Sequence, residues 1–242
     1  MDNILISIIT VCYNAENTIE ETIKSVISQT YNSIQYIIID GKSKDNTIST
    51  IKKYIDYIDI LISEQDKGIY DAMNKGLTYV KGDYVIFMNA GDLFNNKTTV
   101  QEITKHINDK ETIYFGNSIR CFSDQKKLKI ERINRFRITR KNICHQAIFY
   151  PSEYIKQIGY DLKYPILADW VLNIRLYKQL KYKHVNIPIC IFDETGISSS
   201  SNRFKDINFV KDLSQLTLDN LGYLPWLYLN IRRQIRCILC QN

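Results

Sequence analysis

Two carboxylates and a glycine turn stand where runs of β-branched residues stop. Tyr13 and Asn14 follow the run Ile4–Cys12. Asp40 and Gly41 follow Gln35–Ile39, and Asn89, Gly91 and Asp92 follow or close Tyr84–Met88. Near-continuous apolar runs of this kind are strands buried on both faces. In open parallel sheets, ligands collect beyond the carboxyl ends of such strands. Carboxylates and amides there are oxygen ligands for a cation and acceptors for a ligand's N–H and O–H groups. Asp, Asn and Gly also make ordinary turns, but the set at three strand ends favours a ligand site. Two nucleotide signatures are missing. No G-x-G-x-x-G follows the first run, and Gly41-Lys42-Ser43 lacks the earlier P-loop glycine, with Tyr36 in its place. G-x-S-x-G and H-E-x-x-H are absent, and His106, His145 and His184 are too far apart for a local metal cluster.

The elements that must position these residues follow from hydrophobic spacing. Between the first two strands, Ile19, Ile23, Val26 and Ile27 mark a helix over Asn17–Gln29. Asn17 is its expected cap, with Glu20 completing a capping-box-like pair. Asp45 or Asn46 caps a second helix through Tyr54. A strand at Ile58–Ser63, a helix at Ile69–Val80, a turn at Gly82-Asp83 and a strand at Tyr84–Met88 follow. Strands alternating with helices imply a parallel sheet with right-handed crossovers. Later, Thr98–Ile107 reads as a helix and Thr112–Phe122 with Lys127–Ile133 as strands or a ribbon. Ala147–Tyr150 reads as a short strand, Asp169–Leu180 as a helix after Pro165, and His184–Phe192 as a strand. Asn208 to Cys240 reads as helix broken at Gly222 and Pro225. The expectation is one α/β domain over residues 1–202, with a mainly parallel sheet flanked by helices, plus a helical extension over 203–242.

Composition agrees with that class. The chain has 242 residues, 45% hydrophobic and 24% charged, which excludes collagen-like, disordered and disulfide-scaffold proteins. A net charge of +6 permits an anionic partner without demanding one, and no basic-aromatic stripe marks a nucleic-acid groove. Acidic Asp2 and a short apolar run argue against an export signal. No segment reaches the roughly 18 apolar residues of a membrane span. Six scattered cysteines, with only Cys237 and Cys240 close together, fit a reduced, cytoplasmic protein.

Five ordered motifs carry a resemblance. They are Ser7-Ile-Ile-Thr-Val-Cys-Tyr-Asn-Ala15, Gln29-Thr-Tyr31, Ile39-Asp-Gly-Lys-Ser-Lys-Asp-Asn-Thr47, Asp66-Lys-Gly-Ile-Tyr-Asp-Ala-Met-Asn-Lys-Gly76 and Gly82-Asp-Tyr-Val-Ile-Phe-Met-Asn-Ala-Gly-Asp92. Looser matches continue at Cys144–Tyr150 and Ile166–Leu172. The sequence resembles family 2 glycosyltransferases of GT-A fold, in the branch making bacterial surface polysaccharides. The resemblance implies a nucleotide-sugar half over 1–94 and an acceptor half over 95–202. It implies an inverting enzyme that moves a sugar from a nucleoside-diphosphate donor to a saccharide acceptor. A divalent cation, Mn²⁺ or Mg²⁺, would offset charge on the leaving diphosphate.

Residue by residue, Asp92 matches the last acid of the family's metal motif. Asn89 stands where relatives often carry an acid, and Ala90 and Gly91 complete the element. Asp40 matches the acid that reads the base, with uracil N3–H as a suitable donor. Val11 and Tyr13 flank the base, and Lys67, Asp71 and Asn74 belong to the donor side; Asp71 with Lys75 would equally make an ordinary helix pair. Asp169 matches the general base. A helix N-terminus favours a negative charge there, although Asp is also a common N-cap. His145 and Gln146 match an acceptor-side element, and Trp170 offers a face for a sugar.

Other functions remain open on the sequence. A sugar-nucleotide-forming nucleotidyltransferase would carry a Gly-rich, Arg-containing loop in place of Val11-Cys-Tyr-Asn-Ala-Glu16. A non-catalytic carbohydrate-binding or assembly subunit is supported by the lone acid at Asn89–Asp92. The stretch 223–240, with Trp226, Tyr228, Arg232, Arg233 and Arg236 among aliphatics, suits the inner face of a membrane carrying a lipid-linked acceptor. Packing on the domain or on a second copy of the chain suits it equally.

Overall fold

The structure is a computed structural model that describes residues 4–122, 125–193 and 205–239. The opening run folds as β1 (Ile6–Cys12), buried along its whole length. It lies parallel between β2 (Ile34–Asp40) and β4 (Tyr84–Phe87), and β3 (Ile60–Ser63) continues the sheet beyond β2. Alternate side chains go to opposite faces. Ile9, Val11, Ile37, Ile39 and Phe87 meet α3 (Ile69–Thr78) on one face. Ile6, Ile8, Ile38 and Met88 meet α1 (Ile19–Ile27), α2 (Thr47–Lys52) and α4 (Thr99–Thr104) on the other. Cys12 pairs with Asp40, and Asp40 with Ser63, so three strands end level. Their following loops, with the one after β4, form a single rim.

The second half mixes strand directions. β8 (Ile148–Pro151) runs antiparallel to β4, with Tyr84 opposite Pro151 and Val85 opposite Tyr150. β6 (Thr112–Phe122) lies beyond it, antiparallel, followed by β9 (Lys181–Asp193), parallel to β6. The two-residue β5 (Leu93–Phe94) pairs with β9, and β7 (Gln125–Lys129) forms a hairpin with β6. Because β8 opposes β4, the residues preceding β8 return to the rim where β4 stops. A 3₁₀ turn over His145–Ala147 sits there. Then come α5 (Ser152–Ile158), α6 (Ala168–Tyr177), α7 (Ile207–Leu221) and α8 (Tyr223–Leu239). Phe209, Leu213 and Leu221 of α7 and Leu229 of α8 join the same core as α6. The Asp206 carboxylate caps α7 at Phe209 N (3.1 Å) and also accepts from Ile166 N and Leu167 N, at 3.1 and 3.0 Å. One buried acid thus ties the C-terminal helices to the start of α6.

Boundaries shift from the expected ones for identifiable reasons. Thr18, not Asn17, is the N-cap of α1; Glu20 accepts from the Tyr54 hydroxyl at 2.6 Å instead of closing a capping box. The second helix stops at Lys52, and a 3₁₀ turn takes Ile55–Tyr57. Burying one Ile stabilises by about 1.5–3 kcal/mol, against about 1 kcal/mol for a cap, so packing overrides the capping pattern. The ribbon strand ends at Lys129 rather than Ile133, where Glu131 turns inward to accept from Ser118 Oγ at 2.7 Å. The C-terminal helices break at Gly222 (φ 88°) but not at Pro225, which lies in the first turn of α8, where no intrahelical N–H is needed. β5 and α5 are additional to the elements that the hydrophobic spacing marks. Cys240 lies outside the described residues.

Candidate active site

The loops after β1 and β2 are laced together. Asn14 N donates to Ser43 Oγ (2.8 Å), Lys44 N to Asn14 Oδ1 (2.9 Å), and Ala15 N to Thr47 Oγ1 (2.7 Å). These bonds hold Asn14 and Lys42 in left-handed conformations, at φ 47° and 64°, a strain of the kind that gathers at functional loops. The Asp40 carboxylate is fully buried. It accepts from Ser43 N (3.0 Å), Ser63 Oγ (2.6 Å) and the Ser43 hydroxyl. It therefore points into the protein and fixes the loop, rather than facing a base as its position in the motif suggested.

The open groups lie beside it. A Cβ on Gly41 would sit 2.5 Å from Asp66 Oδ2 and 3.3 Å from Tyr13 Cδ2. Only a residue without a side chain lets that carboxylate and that ring approach each other. Tyr13 is 59% exposed. An aromatic face and a nearby carboxylate can together hold a planar heterocycle, one by stacking and the other by accepting N–H or O–H. Asp66 opens the fourth motif, where nothing local distinguishes it from a turn residue. Val11 is buried and contributes its carbonyl, which accepts from Ala90 N at 3.1 Å.

The donor-side residues of the fourth motif divide. Asp71 Oδ2 accepts from Lys67 N at 2.9 Å and so folds the turn into α3; Lys75 is 3.9 Å from it and pairs more closely with Glu64, at 2.8 Å. Lys67 itself is exposed. The Asn74 side chain is taken up by backbone: its amide donates to Tyr160 O (2.8 Å) and accepts from Tyr160 N (2.7 Å), which brings α3 to the chain after α5. Asn74→Ala is therefore expected to cost about 1–2 kcal/mol, two partly buried hydrogen bonds, with nucleotide affinity unchanged. Denaturant unfolding and a nucleotide titration on the same variant check this. Weakened nucleotide binding at wild-type stability would return Asn74 to the donor side.

The loop after β4 presents Asn89-Ala-Gly-Asp92, turned by Gly91 at φ 98°. Asp92 is 8% exposed and Asn89 also 8%. Asp92 Oδ2 accepts from Gln146 Nε2 (3.0 Å) and Asn89 N (3.2 Å). Burial pushes the Asp92 carboxyl up to about 6, with the His145 charge and these hydrogen bonds pulling it back. Asn89 Nδ2 meets His145 Nε2 at 3.2 Å, and Asn89 Oδ1 is buried without a hydrogen-bond partner. A desolvated carboxylate and an unsatisfied amide oxygen on one turn match a hard divalent cation that takes its remaining ligands from phosphate and water. Among the described residues no group of three or more His, Cys, Asp or Glu could hold a metal unaided.

Asp169 stands in the first turn of α6, whose N-cap is Leu167. The acid does not cap the helix. Its Oδ1 lies 3.0 Å from the Tyr70 hydroxyl, and its Oδ2 accepts from Asn142 Nδ2 at 2.7 Å. Burial, and then the Asp169 charge, push the Tyr70 phenol well above its ordinary value, so it stays a donor. Asn142 is held in turn by Asn173, whose amide donates to Asn142 Oδ1 at 2.9 Å, while Tyr150 donates to Asn173 Oδ1 at 3.1 Å. His145 Nδ1 is 3.7 Å from Asp169 Oδ2. Trp170 presents no face to a sugar. It is 5% exposed, tilted against Phe209 at 4.9 Å, and its ring N–H donates to Ile138 O at 2.6 Å. The indole fills the α6–α7 interface.

One short segment connects the two acids. Gln146 takes the Cys144 thiol on Oε1 (3.0 Å) and gives its N–H to Asp92. His145 reaches Asn89 with one nitrogen and faces Asp169 with the other. His145, buried, and Gln146, half-buried, thus bridge the two acids. The sheet order that returns this segment to the rim joins the Asn89–Asp92 turn to the braced Asp169 carboxylate, on the same rim as Tyr13, Gly41 and Asp66.

Residues 7–202 match the family described as Glycosyl transferase family 2. The chain belongs to that family. Among its relatives is a PGL/p-HBAD biosynthesis glycosyltransferase of Mycobacterium bovis, 28% identical, covering 88% of this chain and 85% of that protein. Another is the Escherichia coli UDP-Glc:alpha-D-GlcNAc-diphosphoundecaprenol beta-1,3-glucosyltransferase WfgD, 27% identical over 86% and 84% of the two chains. The fold is shared with S. aureus TarS 1–349 in complex with UDP-GlcNAc, at TM-score 0.72, 15% identity and coverage of 89% and 67%. The longer TarS chain is covered to only 39% of its length. A mannosyltransferase of Pyrobaculum calidifontis in complex with GDP-Man and Mn²⁺ aligns at TM-score 0.64 and 15% identity, over 94% and 72%. The α/β domain is the GT-A fold of glycosyltransferase family 2, with C-terminal helices added.

Proposed function

We propose that this family 2 enzyme inverts configuration while moving a sugar from a nucleoside-diphosphate donor, UDP favoured, to an acceptor hydroxyl during bacterial surface-polysaccharide synthesis. The observation that carries the reading is the 144–146 segment, which binds the Asn89–Asp92 turn to the Asp169 cluster. A transferase of this kind needs the leaving diphosphate and the proton acceptor at one centre. WfgD, by its name, uses UDP-Glc and a lipid-diphosphate acceptor, which supports a lipid-linked saccharide here.

In this reading the base lies between Tyr13 and Asp66, whose carboxylate accepts the N3–H of uracil. The diphosphate lies over Gly91, against Asn89 and Asp92. Asp92 and the Asn89 amide oxygen would hold Mn²⁺ or Mg²⁺, which when bound offsets charge on the leaving diphosphate. Asp169 takes the acceptor hydroxyl's proton as that oxygen attacks the anomeric carbon from the side opposite the leaving group. Asn142 donates to one carboxylate oxygen, and the Tyr70 hydroxyl, which also reaches Ile166 O at 2.8 Å, stands against the other, so the base is aimed before the acceptor arrives. Free thiols at Cys12, Cys144 and Cys190 suit a reducing, cytoplasmic setting.

Calorimetry with UDP- and GDP-sugars, with and without Mn²⁺, tests the donor half. UDP-sugars are expected to bind at least about tenfold more tightly than GDP-sugars, a difference of about 1.4 kcal/mol. Asp66→Ala is expected to remove that preference, and an unchanged preference would place the base elsewhere.

A further inference from the structure

The positive charge of this chain is concentrated in one ribbon. Residues 126–141 carry eight Lys or Arg and a single acid, Glu131, for a net +7 in a chain whose net charge is +6; everything else together is −1. The acid does not show at the surface. Glu131 is 1% exposed and bound to Ser118 Oγ and Lys129. Lys126, Lys127, Arg132, Arg135 and Lys141 are exposed. Burial, and then the like charges of Lys129, Arg120 and Arg137, pull the Lys141 amine below its ordinary value.

Apolar side chains stand among these cations. Leu128, in β7, is 52% exposed, and Ile130, just past the end of the strand, is 49% exposed. The segment then meets α8. Phe136 packs edge-on to Tyr228 at 5.6 Å, and the Arg140 and Arg232 guanidinium groups lie over the same ring, at 5.3 and 5.8 Å. α8 buries Leu229 but leaves Leu224, Ile231 and Ile235 outward, at 56%, 46% and 50% exposed. Their spacing of seven and four residues puts them on one stripe. Asn142, next after Lys141, touches Asp169, so the surface borders the acceptor side of the site.

We infer that the β7 ribbon, the following loop to Lys141 and the outward stripe of α8 form one surface that docks on an anionic lipid bilayer. Basic side chains at such a surface are attracted to acidic headgroups, and exposed aliphatics enter the headgroup–acyl boundary. Nucleic acid would satisfy the charge but not the aliphatics, since single strands are gripped by aromatic stacking. The partner is independent of the sugar chemistry, and the test needs no donor or acceptor.

The experiment is vesicle co-sedimentation of the full chain, with phosphatidylcholine alone and with phosphatidylglycerol added. Binding is expected only to the anionic vesicles and is expected to weaken with salt. Lys126→Glu with Lys127→Glu should lower partitioning by about ten- to thirtyfold, given the worth of each basic residue near such a surface. Leu128→Ser with Ile130→Ser should also lower it, while leaving heparin binding and the melting temperature at wild-type values. No binding to anionic vesicles overturns the proposal. So does equal binding to neutral vesicles, or serine variants that bind as well as wild type; in the last case heparin-like affinity would mark a soluble polyanion as the partner.

Discussion

Asp169→Asn is expected to slow sugar transfer by about 10²- to 10⁴-fold, the usual cost of losing general-base assistance, with nucleotide-sugar affinity unchanged. Affinity persists because the donor groups, from Tyr13 to Asp92, belong to other elements. Stability is expected to fall. Asparagine can keep its oxygen toward Asn142 Nδ2, which now donates to the carboxylate at 2.7 Å, and turn its N–H₂ to the Tyr70 hydroxyl, whose proton goes to Ile166 O, but the bond to Asn142 is no longer charge-assisted. Losing one charge-assisted bond costs about 1.5–3 kcal/mol. At about 2–4 °C per kcal/mol for a chain this size, the melting temperature drops by no more than about 12 °C. Transfer rate, donor affinity and melting temperature measured on one preparation separate a base from a structural acid. Near-wild-type transfer would remove Asp169 from the chemistry. Asp161, the neighbouring acid in sequence, would not replace it: Arg175 holds it at 2.7 Å and it also accepts from Lys163 N at 3.1 Å.

The variant also tests the bracing. Tyr70→Phe removes the hydroxyl that lies 3.0 Å from Asp169 Oδ1 but keeps the ring, which stacks on Tyr160 at 5.2 Å. It is expected to lower turnover by about tenfold, with the acceptor KM little changed, because the base is present but less firmly aimed. Steady-state kinetics with varied acceptor resolves the two terms. A loss confined to KM would make Tyr70 a binding group.

What could be read from the sequence depended on how local the cause was. β1, β2 and β4 are buried on both faces, and their β-branched runs announce that without help from the rest of the chain. The rim followed from where those runs stop, and so did Asp92. Asp169 is singled out in the sequence by the family resemblance, and the alternative of an N-cap fails because Leu167 takes that place and the carboxylate turns toward Tyr70 and Asn142. Those two partners lie 99 and 27 residues away, a separation that no periodicity records. Trp170 reads as a sugar platform in the sequence because its cover, Phe209, comes 39 residues later in the chain. Asp40 and Asp66 illustrate the same limit within the donor half. Both end strands or loops beside Gly41, and only the packing of Ser43 and Ser63 decides that the first faces inward. The short strand at Ala147–Tyr150 is legible but its direction is not, and it is the antiparallel run of β8 that brings His145 and Gln146 back to Asn89 and Asp92.

The cation turn yields the other large effect. Asp92→Asn is expected to abolish metal-dependent donor binding and to reduce transfer to background, yet to leave the melting temperature of the metal-free protein equal or higher. The reason lies in what the carboxylate does without a cation. It is buried, it is 8% exposed, and desolvation is the largest influence on it, raising it to about 6. An acid whose charged form the fold disfavours contributes no stability through that charge. The amide keeps an oxygen for Gln146 Nε2 or Asn89 N and supplies a neutral group of the same shape. Natural proteins retain such costly charges where function needs them. Binding of Mn²⁺ followed by calorimetry or paramagnetic relaxation, in the presence of UDP, gives a readout apart from turnover. Asn89→Asp supplies the complementary case. A second carboxylate on the same turn is expected to strengthen Mn²⁺ binding, since affinity for hard cations rises with ligand charge, and to lower the metal-free melting temperature by adding a second buried acid beside the first. If Asp92→Asn binds Mn²⁺ and donor as wild type does, the turn is not the metal site, and the unsatisfied Asn89 oxygen then has no cation to explain it.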